Sequence, residues 1–208
     1  MYVIYLAAGI GSGKSTVALL LEERGAHRID LDQLSHELLT PPSDLLTQLA
    51  DEFGSDILNA SGELDRALLT SRAFATPEST TRLEALEHPA ILAELKSRLD
   101  ALRTASDAPE LCVVEVPLLD HMGEALTWAD EIVTVTCPVD IRRQRVKDRG
   151  LSTEDFDRRL SHQLPESWYV EQSTTAFDNS RDEAYLKQQI DAWWDERTTT
   201  GWKRHADE

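Results

Sequence analysis

The sequence predicts an α/β fold with a doubly wound parallel sheet, and three observations carry that prediction. The run YVIYLA at residues 2–7 is apolar throughout, as a central parallel strand buried on both faces requires. A glycine-rich turn follows it directly and leads into KSTVALLLEERG, whose Val17, Ala18, Leu20 and Leu21 recur at helical spacing. Two later β-type runs, ELCVVEVP at 110–117 and EIVTVTC at 131–137, alternate with helical segments, as βα units demand.

Taken in order, the first strand and its glycine turn are followed by a helix that stops at Gly25, a C′ glycine. A second short strand is predicted at 27–32, HRIDLD, with Asp30 and Asp32 near its carboxyl end. Residues 33–107 read as an inserted helical subdomain punctuated by Pro41-Pro42, Gly54, Gly62 and Pro77, and Pro89 is expected to kink or interrupt its last, long helix. After the strands at 110–117 and 131–137 come two helices, 138–150 and 152–165, joined at Gly150, the second opening on a Ser/Thr-plus-acid start signal. A last strand at TAFDN (175–179) precedes a closing helix around 182–197. One domain is therefore expected, with a core of 1–32, 108–140 and 166–208, an insertion of about 33–107 and a helical lid of about 141–165.

The 208 residues are 41% hydrophobic and 28% charged, an ordinary globular balance. A formal net charge of −17 argues against general affinity for nucleic acid or an anionic membrane surface and favours a small-molecule partner. Cys112 and Cys137 sit in strand-like runs and read as buried, reduced thiols. The opening apolar run carries no basic leader and is too short to span a bilayer, so a cytoplasmic protein is expected. None of the six histidines stands at metal-ligand spacing, and no structural metal site is expected.

The glycine turn, LAAGIGSGKST, meets the second half of the phosphate-binding pattern G-x-x-x-x-G-K-[ST] at Gly13, Lys14 and Ser15 but places Ala8 at the first glycine. Strand before and helix after supply the context that a P-loop needs, so the predicted fold is of the P-loop NTPase type. Gly9, Gly11 and Gly13 free backbone N–H groups to face an anion, Lys14 reaches the β- and γ-phosphates, and Ser15 is the magnesium ligand. Ala8 is tolerable if its φ is negative, because only a positive φ makes glycine necessary. The dinucleotide pattern G-x-G-x-x-G fails, since Lys14 stands where its third glycine would be.

Arg142, Arg143, Arg145, Lys147, Arg149, Arg158 and Arg159 concentrate cations in one segment of an acidic chain. Such a segment beside a P-loop reads as a lid closing on nucleotide, with Arg145 and Arg149, four apart on one face, the stronger candidates; the alternative is a solvated face with i,i+4 ion pairs. Asp32 is a candidate base toward an acceptor hydroxyl or, alternatively, a helix cap. Glu115, amid an apolar strand, either faces the site near magnesium and substrate or is a structurally paired carboxylate.

Beyond these features, GIGSGKST (9–16), IDLDQLSHELL (29–39), FGSDILNASGELDRALLTSRAF (53–74), LEALEHPAI (83–91), VVEVPLL (113–119), RVKDRGLS (145–152), RRLSHQ (158–163) and DN (178–179) together resemble the dephospho-coenzyme A kinases, in that family's order and over nearly the whole chain. The resemblance implies a P-loop kinase core, a helical coenzyme-A-binding insertion and an arginine-bearing lid. It implies transfer of the ATP γ-phosphoryl group to the ribose 3′-hydroxyl of dephospho-coenzyme A, the last step of coenzyme A synthesis. By the same resemblance Gly11, Ser12, Gly13, Lys14, Ser15 and Thr16 hold ATP with magnesium, Asp32 activates the acceptor, and Arg145, Arg149 and Arg159 meet phosphate. Asn179 falls near adenine, and Arg66 and His88 fall in the acceptor subdomain. The chain departs from the family at Ala8, at Asp120-His121 where Phe-Glu is usual, at Arg142 where glutamine is common, and at STTAFDN, which lacks the usual Ala-Asp. The alternatives are a P-loop kinase with a nucleoside or nucleotide acceptor, and a non-enzymatic nucleotide switch; the chain carries no N-K-x-D guanine-reading motif. A monomer or weak homo-oligomer is expected.

Overall fold

The computed structural model describes residues 1–202. In chain order the regular elements are β1 (Tyr2–Ala7), α1 (Lys14–Glu22), β2 (His27–Asp30), α2 (Leu31–Leu38), α3 (Asp44–Phe53), α4 (Arg66–Ala73), α5 (Pro77–Thr104), β3 (Leu111–Val116), β4 (Glu131–Thr136), α6 (Val139–Asp148), α7 (Thr153–Ser161), α8 (Glu166–Gln172), β5 (Thr175–Asp178) and α9 (Glu183–Thr200). They divide into two compact units, one made of Met1–Asp30 with the chain from Ala105 onward, the other of Leu31–Thr104.

The first unit is built on a five-stranded sheet in the order β2-β3-β1-β4-β5, every adjacent pair parallel. All six residues of β1 and all six of β3 are buried, which is why both read as unbroken apolar runs rather than as alternation. On one face, Ile4, Leu6, Val113 and Val133 pack with Val17, Ala18 and Leu21 of α1 and with Leu186, Ile190 and Trp193 of α9. On the other, the Tyr5 hydroxyl donates to the Ala125 carbonyl in a 3₁₀ stretch between β3 and β4. Glu131, buried at the start of β4, accepts from Arg197 of α9 at 2.9 Å and from Tyr2, Thr174 and Thr175. One charged carboxylate is thereby satisfied by groups from β1, β5 and α9, the condition under which a buried charge is tolerable.

Strand β2 is shorter than HRIDLD predicts. It pairs with β3 only from His27 to Asp30, after which Leu31 and Leu34 turn to form the buried stripe of α2, so Asp32 is a first-turn helix acid rather than a strand-end residue. Helix α8 lies in a stretch to which the sequence reading assigned no element; Pro165 at its N-cap and Glu166 in its first turn are the start signals that mark it. Ser152 caps α7 by accepting from the Asp155 N–H at 3.1 Å, as the start signal there predicts.

The second unit is all helical, with a core of Leu45, Leu46, Leu49, Phe53, Ile57, Leu69, Ala73 and Leu83. Ser43 and Asp65 cap α3 and α4 through the Leu46 and Leu68 N–H groups. Helix α5 runs through Pro89 without interruption, so of the kink or interruption expected there the interruption does not occur. Pro89 and Ala85, whose carbonyl loses its donor, are both exposed, so water can satisfy that carbonyl, while Leu83, Leu86 and Ala90 hold the neighbouring turns on the core.

Candidate active site

The loop between β1 and α1 is shaped by its glycines. Gly11 and Gly13 take φ of +77° and +102°, while among the described residues none other than glycine has a positive φ, so Ala8 meets the condition under which it is harmless. Gly13 caps α1 in the left-handed conformation and directs the helix N-terminus at the loop's concavity, a ready-made anion site. Side-chain crowding gives a second reason for glycine: a Cβ on Gly9 would meet the Arg142 guanidinium at 2.4 Å, and one on Gly13 would meet the Asn179 amide at 2.1 Å.

Lys14 and Ser15 begin α1 directly beneath this turn. The Ser15 hydroxyl donates to Glu115 Oε2 at 2.9 Å, and Glu115, buried on β3, accepts on Oε1 from Arg28 Nε of β2 at 2.7 Å. Glu115 is therefore a paired carboxylate, the second of its two sequence readings, and its bond to Ser15 sets it against the phosphate loop. Hydroxyl and carboxylate together are the hard oxygen donors that magnesium takes, with phosphate oxygens and water supplying the rest of its shell. Among the described residues no group of three or more His, Cys, Asp or Glu side chains could hold a metal by itself.

Beside the loop, Gly13, Thr16, Arg145, Arg149, Asn179, Glu183 and Leu186 line one open cleft. Arg145 projects from α6 to within 3.4 Å of Asn179 Oδ1 and 3.5 Å of the Arg181 carbonyl, and Arg149 caps the same helix. Asn179, just past β5, is buried, and its amide donates to the Ser12 carbonyl at 2.7 Å. Arg145 also lies 3.5 Å from the Cys137 sulfur; burial pushes that thiol's pKa up and the arginine's charge opposes the shift. Arg159 is exposed on α7 and does not line the cleft. Asp32, Arg66 and His88 belong to the helical unit: Asp32 is exposed in the first turn of α2, Arg66 opens α4, and His88 is half-buried on α5. Next to His88, burial raises the Glu87 carboxyl above its ordinary 4.5 while the Arg66 charge opposes the shift, so the helical unit joins Arg66 to a carboxylate that the sequence did not single out.

A sequence profile described as dephospho-CoA kinase matches residues 2–184. The chain belongs to the dephospho-CoA kinase family. A dephospho-CoA kinase of Corynebacterium jeikeium is 37% identical over 195 residues, 93% of this chain and 98% of that protein. Among solved structures, a Thermus thermophilus protein superposes with a TM-score of 0.75 at 30% identity, covering 94% of this chain and 97% of its own. A dephospho-CoA kinase from Campylobacter jejuni shares the fold at a TM-score of 0.72 and 22% identity, over 95% of this chain and 98% of that one. The fold predicted from sequence, a parallel sheet of the P-loop kinase type, is thus the fold of this dephospho-CoA kinase family member. Arg28, on Glu115, and Glu183, in the cleft, were not assigned there from sequence, and no motif marks either. Arg142 was read only as one of the lid cations and Gln163 only as part of RRLSHQ, whereas both side chains bond the backbone of the phosphate loop at Ile10.

Proposed function

We propose that the protein transfers the γ-phosphoryl group of ATP to the ribose 3′-hydroxyl of dephospho-coenzyme A, giving coenzyme A. The family match over residues 2–184 carries this reading, and a loop with positive-φ glycines at 11 and 13 opening onto the N-terminus of α1 supports its nucleotide half. In this reading the N–H groups from Gly11 to Thr16 and the Lys14 ammonium surround the phosphates. Ser15, with Glu115 behind it, would hold magnesium, which would supply charge neutralisation for the phosphates. Glu115 keeps the Ser15 hydroxyl aimed, and Arg28, donating to its other oxygen, holds Glu115 in place. Arg145, Arg149 and Arg159 stabilise charge on the transferring group, with Asn179 bracing the loop from the adenine side. Asp32 accepts the proton of the acceptor hydroxyl, while Arg66 and His88 hold the acceptor in the helical unit.

A net charge of −17 supports small-molecule partners, with no nucleic acid or membrane surface among them. The two cysteines are free and buried, in keeping with a reducing cytoplasm, and a monomer or weak homo-oligomer completes the proposal. Among the described residues no helix is long and apolar enough to cross a membrane.

The test is to incubate the purified protein with ATP, magnesium and dephospho-coenzyme A and to look for coenzyme A by mass spectrometry. Wild type is expected to form it, Lys14→Ala to lose at least about a hundredfold in rate, and Asp32→Asn to lose turnover while still binding ATP. ATP binding without product from this acceptor would sink the assignment.

A further inference from the structure

The phosphate loop has little of its own to hold it in shape. Between Ala8 and Gly13 its internal backbone bonding amounts to the Ser12 N–H on the Gly9 carbonyl at 3.2 Å. The shape is imposed from outside, and most tightly at Ile10. The Ile10 N–H donates to Gln163 Oε1 at 2.8 Å, and the Ile10 carbonyl accepts from Arg142 Nε at 2.7 Å. Arg142 is 3% exposed, packs its guanidinium over Gly9, and lies 4.0 Å from Glu166 at the start of α8. Gln163 comes from the turn between α7 and α8, where its own N–H bonds the Leu160 carbonyl. Two side chains from different parts of the α6–α8 segment therefore grip one loop residue, by its donor and by its acceptor.

We propose that Arg142 and Gln163 are positioning residues that act together through Ile10 to keep the phosphate loop in its anion-receiving form before nucleotide arrives. The inference rests on the reading of the loop as an ATP site. A loop ordered in advance does not spend binding free energy on its own ordering when phosphate enters, so the grip raises nucleotide affinity rather than the rate of transfer. Because both contacts end on one residue, releasing either frees the same stretch of chain. Their effects must then overlap rather than multiply.

The experiment uses the full chain with Arg142→Met, Gln163→Met and the double variant, each near the original volume but unable to bond Ile10. Thermal melting confirms that each is folded. Two quantities are read: ATP affinity by calorimetry, and hydrogen exchange at the Ile10 amide in the nucleotide-free protein. Each single variant is expected to weaken ATP binding about five- to tenfold with kcat within about threefold of wild type, and the double variant to bind at most about two- to threefold more weakly than the worse single variant, not by the product of the two. Exchange at Ile10 is expected to quicken in Arg142→Met as well as in Gln163→Met, although only Gln163 touches that N–H. Unchanged affinity in the single variants, fully multiplicative losses, or an Ile10 amide that stays protected in Arg142→Met would each overturn the proposal. Should a variant fail to fold, Gln163→Leu, which likewise cannot bond the Ile10 N–H, serves instead and is expected to give the same weakening. Wild type that binds no ATP would refute the kinase reading, a result distinct from variants that bind as wild type does.

Discussion

Individual side chains in this protein carry two kinds of information, and only one kind is written in motifs. Lys14, Ser15 and the glycines at 11 and 13 could be placed from their spacing, because a phosphate loop needs those residue types in that order wherever it occurs. Glu115 could be half placed: its presence in an apolar run signals a special role, but the partner that makes the burial tolerable, Arg28, reaches it from a strand far away in sequence. Arg142 shows the limit. Within a run of basic residues it reads as one more lid cation, whereas its side chain is buried and its guanidinium pKa lowered by desolvation, with Glu166 opposing. Exposure, not identity, separates it from Arg143, which pairs with Asp140 and Asp157 at the surface. Glu87 supports a prediction at this scale. Burial holds its carboxyl above the ordinary 4.5, so above that raised pKa folding must carry a charge into an unfavourable place, and below the ordinary value both states are neutral and the cost disappears. Glu87→Gln is therefore expected to raise Tm at pH 7 to 8 and to lose that gain near pH 4; melting curves that stay parallel across this range would show that the residue carries no such cost.

Among the elements, those whose signal is local were legible and those set by tertiary contact were not. Strands β1 and β3 declared themselves as apolar runs, and α7 by its start signal at Ser152, while the closing helix α9 was placed without its cap, Asp182, having been read. The end of β2 was not legible, because IDLD continues as a β-type run while the ladder with β3 stops at Asp30 and the buried stripe of α2 starts at Leu31. Pro89 misled for a related reason: proline forbids a hydrogen bond, but on an exposed turn of a 28-residue helix the rest of the element outvotes it. Its cost is still expected to be present. Pro89→Ala, which restores a donor toward the Ala85 carbonyl, should stabilise the protein by about 1–3 kcal/mol, read as a higher denaturant midpoint with unchanged m-value. If stability falls instead, Pro89 is packing in a way that its exposure does not show.

For the whole molecule, the excess of acid is the dominant fact. Thirty-eight acidic side chains against twenty-one lysines and arginines leave a surface that repels itself, and the exposed ion pairs, such as Lys96–Asp100 and Arg158–Asp155, offset little of that. Raising sodium chloride from about 20 to about 200 mM should shorten the screening length enough to raise Tm by a few degrees, and a Tm that falls would mean that attractive pairs prevail over the net repulsion. Sheet order bears on a different matter, the moment at which the chain is made. Strand β1 leaves the ribosome well before its ladder partners, β3, beginning at Leu111, and β4, beginning at Glu131. Between them the Leu31–Thr104 unit is synthesised with a hydrophobic core of its own. During translation β1 must therefore wait unpaired while an entire helical unit emerges behind it, so the nascent chain's exposure to misassembly is concentrated at this strand and ends only when β3 and then β4 arrive to flank it.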